Sequence, residues 1–314
     1  VLTFVTANEA SMDAFLSVSA TSGFHDRLRD YAASLVQQGC TRAEWCLVGL
    51  DAGRPVARGA LWALPEHPVP TDVVLIDADW SEPDLAGGRE LLNELHQLAR
   101  AVGADVLSHS VDAPPSPPQY QENEDDRVRL LERSDYRLLR DGLRWRYSRT
   151  PPNAFADPSL EFRSLSDVGD DAFVEAIAAT YDGTRDSWIT RNVNEQGRLT
   201  AARSDFGDYQ DMDHRPEWWE LAYAEDGSLV GVIMAARNTS TAVVAYVGVA
   251  PAYRGRGLSS VLVRRGTEHL LTSGASDIRG DCDRDNPAMV KAFERAGFEQ
   301  FARRRTFERL LADP

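Results

Sequence analysis

Cysteine is scarce: Cys40, Cys46 and Cys282 are the only three, an odd number with no metal-ligand spacing. That argues against a disulfide framework or a zinc site and is met most simply by reduced, buried thiols in a cytoplasm. The six histidines (His25, His67, His96, His109, His214 and His269) form no metal spacing, and no H-E-x-x-H occurs, so no metal is expected. No apolar run approaches the ~20 residues of a membrane span, and no basic-then-apolar segment of signal-peptide type opens the sequence. Positive charge is also short. Lys and Arg total 34 against 49 Asp and Glu, a net charge of −15. Nucleic acid demands a basic surface and is therefore excluded as a partner. The acidic balance suits a cationic small molecule, and equally it suits plain solubility.

What is present is an ordinary globular composition, 43% hydrophobic and 26% charged, over 314 residues, enough for two domains with their own cores. The chain is organised around Thr241 to Phe298. Ala242 to Val249 reads as a mostly apolar strand bounded by Pro251, and Leu258, Val261, Leu262, Arg265, His269 and Leu270 carry helical spacing to a stop at Gly274. Between them stands Arg254-Gly255-Arg256-Gly257-Leu258-Ser259. A helix N-terminus offers unpaired N–H groups and a partial positive charge, so it accepts anions. The glycines allow a tight turn and close approach of a ligand, and the arginines add charge suited to phosphates.

This stretch resembles the GCN5-related N-acetyltransferase (GNAT) family. Arg254 and Gly257 fill the first two marks of its loop signature, and Ser259 stands where Gly or Ala is usual. Further on, Asn286 follows the next strand, and Met289, Phe293, Gly297 and Phe298 fall at the family's spacing. A dinucleotide fingerprint at Gly255 to Ser260 would give Asn286 and Gly297-Phe298 no role. The resemblance implies an acyl-CoA ligand, acetyl-CoA in the first instance, and transfer to an amine. It places the acyl group where the fourth and fifth strands splay, the pantetheine arm along Val247, Gly248 and Val249, and the pyrophosphate on the N–H groups of Gly255, Arg256, Gly257, Leu258, Ser259 and Ser260. Many members have a Tyr at the position of Phe293 that protonates the departing thiolate; Phe cannot do so.

The first half repeats landmarks of the second. Arg42-Ala43-Glu44-Trp45 and Arg215-Pro216-Glu217-Trp218 each precede a strand, an acidic-glycine turn (Asp51-Ala52-Gly53; Glu225-Asp226-Gly227) and another apolar strand. Leu131 to Arg137 likewise matches Phe293 to Glu299, and each leads into an Arg-rich closing strand. Two matched landmarks in one order indicate an internal duplication. The expected architecture is α/β with a mixed sheet: two tandem GNAT domains at 1–149 and 159–314 with a linker at 150–158. This layout resembles that of mycothiol synthase. In the first copy, Glu82 and Asp84 stand where the second presents arginines, a charge that would repel a pyrophosphate, so this copy reads as degenerate.

An amine acceptor is protonated at neutral pH, so a base must take its proton. The expected fourth strand offers Tyr246 and no carboxylate, leaving Glu220, Asp281 and Asp283 as candidates. Between Tyr181 and Arg215, which in the family covers the acceptor, lie Asp182, Asp186, Glu195, Asp205, Asp208, Asp211 and Asp213 with Trp188, Phe206 and Tyr209 interleaved. Carboxylates and aromatics together suit a cationic amine. The sequence thus predicts an N-acetyltransferase acting on a small, cationic amine as a monomer or homodimer. The alternative is a non-catalytic acyl-CoA sensor or scaffold, to which the missing Tyr hydroxyl at Phe293 points.

Overall fold

A computed structural model describes residues 2–7, 12–18, 24–148, 159–238 and 241–311. The first half runs β1 (Thr3–Thr6), α1 (Met12–Ser17), α2 (His25–Gln37), a 3-10 turn (Ala43–Trp45), β2 (Cys46–Asp51), β3 (Arg54–Trp62), β4 (Asp72–Ala78), α3 (Ala86–Ala101), β5 (Val106–Ala113), α4 (Glu124–Arg133) and β6 (Arg137–Tyr147). The second runs β7 (Glu161–Ser164), α5 (Leu165–Val168), α6 (Asp170–Thr180), α7 (Ser187–Gln196), α8 (Arg198–Gln210), a 3-10 turn (Pro216–Trp218), β8 (Trp219–Tyr223), β9 (Leu229–Arg237), β10 (Ala242–Val249), a 3-10 turn (Pro251–Tyr253), α9 (Leu258–Thr272), β11 (Ile278–Asp283), α10 (Pro287–Ala296) and β12 (Phe298–Leu310). The duplication is visible in this order. Each half has a strand, helices, a 3-10 turn ending in Trp, three strands, a helix, a strand, a helix and a closing strand.

The chain forms two compact units, one of Val1–Leu139 with Arg303–Pro314 and one of Arg140–Ala302. In the first, β1 to β4 pair antiparallel in sequence order, β5 lies parallel to β4, and Arg303–Leu310 of β12 pairs antiparallel with β5. In the second, β7 to β10 pair antiparallel in order, β11 lies parallel to β10, and β6 pairs antiparallel with β11 from Arg279↔Arg146 to Asp283↔Gly142. Each unit is therefore closed by the strand that ends the other half of the sequence. The expected domains, 1–149 and 159–314, keep each closing strand at home; the compact units divide at Arg140 and Arg303 instead. The expected linker, 150–158, lies outside the described residues.

Apolar residues at helical spacing explain the packing. In the first unit α3 buries Leu91, Leu92, Leu95 and Ala99 in a core with Leu61, Ile76, Leu107 and Phe307. In the second, α9 buries Leu262, Val263 and Leu270 beside Val232, Ile233 and Trp219.

Two features position the site. The register of β9 with β10 shifts between Val244 and Tyr246, a bulge that bends β10. The ladder of β10 with β11 covers only Ala242↔Ile278 and Val243↔Arg279. Beyond Val243 the two strands separate, and a cleft opens between them.

Candidate functional site

A cavity of about 630 Å³ occupies the second unit along this cleft. At one end lies the turn into α9. Gly255 and Gly257 have φ of +77° and +80°, a left-handed backbone that explains why glycine stands at both. No protein acceptor among the described residues reaches the N–H groups of Gly255, Arg256, Gly257, Leu258 or Ser259. A run of unbonded N–H groups at the start of a fifteen-residue helix is an anion cradle. Ser260 is not part of it, being buried with its N–H bonded to Gly257 O at 3.0 Å.

The arginines do not face the cavity as free phosphate ligands. Arg254 donates to Thr180 O (2.8 Å), Gly183 O (3.1 Å) and Val249 O (3.1 Å). It ties the loop after α6 to the end of β10. Arg256 folds back to Ala252 O at 3.0 Å and over the Tyr253 ring, away from the cavity lining. The charge remains near the turn, but the forks are committed to carbonyls.

Val247, Gly248 and Val249 line the cavity. What requires glycine at 248 is packing: a Cβ there would lie 2.5 Å from Thr180 Oγ1 and 2.7 Å from Tyr246 Oη. Thr180 Oγ1 donates to Ile177 O, so Tyr246 donates its hydroxyl proton to Thr180 Oγ1 at 2.5 Å. Burial, first, holds the Tyr246 phenol well above its ordinary value. Tyr246 lines the cavity with its proton already committed.

The four proposed catalytic positions separate. Asp281 lines the cavity, 45% exposed and 3.5 Å from Arg144. Glu220 does not: it is buried, its oxygens gripped by Arg265 Nε and Nη2 (2.7 and 2.8 Å) and His269 Nε2 (2.9 Å). Burial alone would raise its carboxyl, but the hydrogen bonds from Arg265 and His269 outweigh it and hold the group low. A carboxylate paired that way, outside the cavity, is a structural anchor, and the expectation of a base at Glu220 is corrected. Asp283 is corrected likewise. It is buried, bonded to the Arg140 guanidinium and to the Ser187 N–H at 2.6 Å, so it fixes the start of α7.

Asn286 caps α10, its side-chain oxygen accepting from Met289 N at 3.3 Å, and it lines the cavity. Phe293 is 1% exposed, stacked on Trp145 at 5.7 Å and edge-on to Phe298. Its ring fills the space a side chain at Gly280 would need, 2.5 Å from that Cβ position. Cys282 is a buried thiol pushed up to about 12, first by burial, and it accepts from Trp145 Nε1 at 3.3 Å. It is no nucleophile. Among the described residues no group of His, Cys, Asp and Glu could hold a metal ion, and no helix is long and apolar enough to cross a membrane.

The far wall comes from α7 and α8 and includes Asp186, Asp205, Asp208, Trp188, Tyr209 and Met212. Asp186 caps α7 through Ile189 N (3.0 Å) and lies 3.6 Å from Arg140; burial raises its carboxyl against the pull of that arginine. Asp205 is buried and bonded to the Tyr181 hydroxyl and to Asn192 Nδ2, with no cation at ion-pair distance among the described residues. Burial and then the like charges of Asp205 and Asp211 raise Asp208. Trp188 is 47% exposed at this wall. Sequence reasoning missed Arg140, Arg144 and Thr180. The arginines come from the exchanged strand, and Thr180 has no signal beyond lying near a helix end.

Residues 179–298 match the acetyltransferase (GNAT) family. The chain is similar to mycothiol acetyltransferase of Mycolicibacterium vanbaalenii, 35% identical over 154 residues covering 44% of this chain and 50% of the relative. It is similar also to that of Gordonia bronchialis, 29% identical over 157 residues, 48% and 47% of the two chains. It therefore spans about half the length of the curated relatives it matches. A solved GCN5-related N-acetyltransferase from Sphaerobacter thermophilus shares the fold over 99% of this chain and 96% of its own, at TM-score 0.58 and 17% identity. A tandem GNAT protein from the clavulanic acid biosynthesis pathway does so over 100% of both chains, at TM-score 0.52 and 16% identity. The fold is thus that of tandem GNAT proteins, and the second unit of this chain carries a domain of the acetyltransferase (GNAT) family.

Proposed function

We propose that the second unit transfers an acetyl group from acetyl-CoA to an amine of a small, cationic molecule. The observation that carries this reading is the juxtaposition of the unbonded N–H groups of Gly255 to Ser259 with the mouth of the β10–β11 cleft. These N–H groups and the α9 dipole hold a pyrophosphate. The bent edge of β10 at Val247 to Val249 orients an extended arm, and the cleft directs its end toward the α7–α8 wall. Acetyl-CoA, when bound, supplies a thioester whose C–S bond breaks as the acceptor's C–N bond forms.

The chain's own part is positioning and proton handling. Asp281 on β11 and Asp186, which caps α7, are cavity carboxylates placed to take the amine proton, and burial raises the Asp186 carboxyl toward the range where it can do so. Asp208 and the Trp188 ring attract the cationic body of the acceptor. Tyr209 lines the cavity, its hydroxyl has no hydrogen-bond partner among the described residues, and burial, first, raises that phenol and keeps it protonated, a proton source where Phe293 offers none. A CoA sensor is the second reading, favoured by Phe293; turnover separates the two.

Calorimetric titration of acetyl-CoA into wild type and Ser259→Glu tests the site. An acid in the first turn of α9 suits the helix but repels phosphate, so one saturable site should vanish in the variant. No binding by wild type sinks the proposal. In a thiol-release assay over cationic amines, Asp208→Asn should raise acceptor KM about tenfold and leave acetyl-CoA affinity unchanged. An unmoved KM removes the cationic part of the claim.

A further inference from the structure

The first unit has the same strand separation. Its β4–β5 ladder is reduced to Asp72↔Ser108, the β3–β4 register shifts between Arg58 and Ala60, and Leu75 in the bulge has φ +55°. The strand edges in that cleft ought to be open, yet the chain's own side chains fill them. Gln119 Oε1 accepts from Leu75 N at 2.8 Å. Gln121 Oε1 accepts from Asp112 N at 2.9 Å, and its amide nitrogen donates to Ser110 O at 2.8 Å. His109 Nδ1 donates to Val73 O at 2.7 Å, since a carbonyl only accepts; its Nε2, 3.2 Å from the Gln121 amide nitrogen, is then the acceptor there. Burial holds this imidazole neutral, down at about 4. Arg127 donates to Ile76 O and to Asp77. Tyr120, stacked on Phe24 at 4.8 Å, pins the segment.

One N–H at the start of the helix after this cleft is also satisfied from within. Glu82 Oε2 accepts from the Gly87 N–H at 3.2 Å in the first turn of α3, placing a fixed negative charge where the second unit has free N–H groups.

We infer that the proline-rich segment 113–121 is the permanent occupant of the first unit's cleft, and that with Glu82 it makes this unit a sealed copy that takes no acyl-CoA. The side-chain amides of Gln119 and Gln121 make the strand-edge hydrogen bonds that an extended, amide-bearing ligand would otherwise make. Each chain then binds one acetyl-CoA, in the second unit; that stoichiometry rests on the function proposed above.

Two measurements on the full chain test this. In hydrogen exchange, the Leu75 and Asp112 amides of wild type should exchange at least about tenfold more slowly than those of the 64–68 loop, and a Gln119→Ala/Gln121→Ala variant should lose that protection. Equal rates in wild type overturn the proposal. In calorimetry, Ser259→Glu should abolish acetyl-CoA binding altogether; one site surviving in that variant also overturns it. If wild type binds no acetyl-CoA, the function reading fails, while the exchange arm still decides whether the cleft is sealed.

Discussion

Replacing Arg254 by Lys separates two roles that the loop signature merges. If the residue serves phosphate by charge, Lys preserves it. The structure instead commits Arg254 to three bonds, at 2.8, 3.1 and 3.1 Å, to carbonyls of Thr180, Gly183 and Val249. A guanidinium fork can serve acceptors on two segments at once; a lysine ammonium, a point charge on a flexible stem, cannot hold the same three. Each bond contributes about 0.5–1.5 kcal/mol net, and the exposure of the side chain puts the values toward the low end, so the clamp amounts to about 1.5–3 kcal/mol. At about 2–4 °C per kcal/mol, Arg254→Lys should lower the melting temperature by roughly 3–12 °C. With the turn no longer anchored to the α6 loop, acetyl-CoA affinity should fall about tenfold in Arg254→Lys and Arg254→Ala alike. Thermal unfolding and calorimetry on the two variants suffice. Wild-type stability and affinity in Arg254→Lys, with binding lost only in Arg254→Ala, would refute the clamp and restore the phosphate ligand.

Glu220→Gln should cost about 1–3 kcal/mol by leaving the Arg265–His269 pair without its carboxylate, while acetyl-CoA affinity and turnover stay within about twofold, because Glu220 lies outside the cavity. The Glu220 carboxyl is held below its ordinary value near 4.5, so its stabilisation is fully present above that pH and is lost as pH falls through the folded-state value; denaturation series for wild type and variant should converge only in that acid window. Gly248→Ala should destabilise by about 1–3 kcal/mol despite the entropy a glycine gives up, because its Cβ meets Thr180 and the Tyr246 hydroxyl; urea midpoints measure it, and an unchanged midpoint refutes the packing argument.

Much of the site was legible because its signal is local. Strand, glycine turn and helix follow one another between Ala242 and Leu270, and the left-handed φ of Gly255 and Gly257 is one that glycine adopts without steric cost. What was hidden depends on which distant residue a side chain meets. Glu220 and Asp281 look alike as strand carboxylates; only the placement of Arg265 and His269 on α9 shows that Glu220 is spoken for. Gln119 and Gln121 read as polar members of a proline-rich loop, and nothing in that composition says that their amides complete the edges of β4 and β5. The charge of Glu82 was readable, but not that it bonds its own helix.

The exchanged closing strands carry the last consequence. Cut within 150–158, the halves of a simple tandem protein would fold alone. Here fragment 1–149 would lose the eight-position ladder of Arg303–Leu310 on β5, together with Phe307 and Leu311, which are 2% and 1% exposed in its core. Deleting buried Phe and Leu side chains costs about 3–5 and 2–5 kcal/mol, so the loss of about 5–10 kcal/mol is comparable with the whole stability of a domain. Fragment 159–314 would lose β6, and with it Leu143, the Trp145 ring stacked on Phe293, and Arg140, which holds Asp283. Each fragment expressed alone should therefore show no cooperative unfolding transition, and co-expression should restore one. A purified 1–149 fragment that melts cooperatively would mean that β6, whose residues match those of β12 in the repeat, can return to its own half. The duplication makes that the specific alternative to exclude, and the different partners of the two strands, Asp283 for Arg140 and Asp112 for Arg304, are what set the exchange against it.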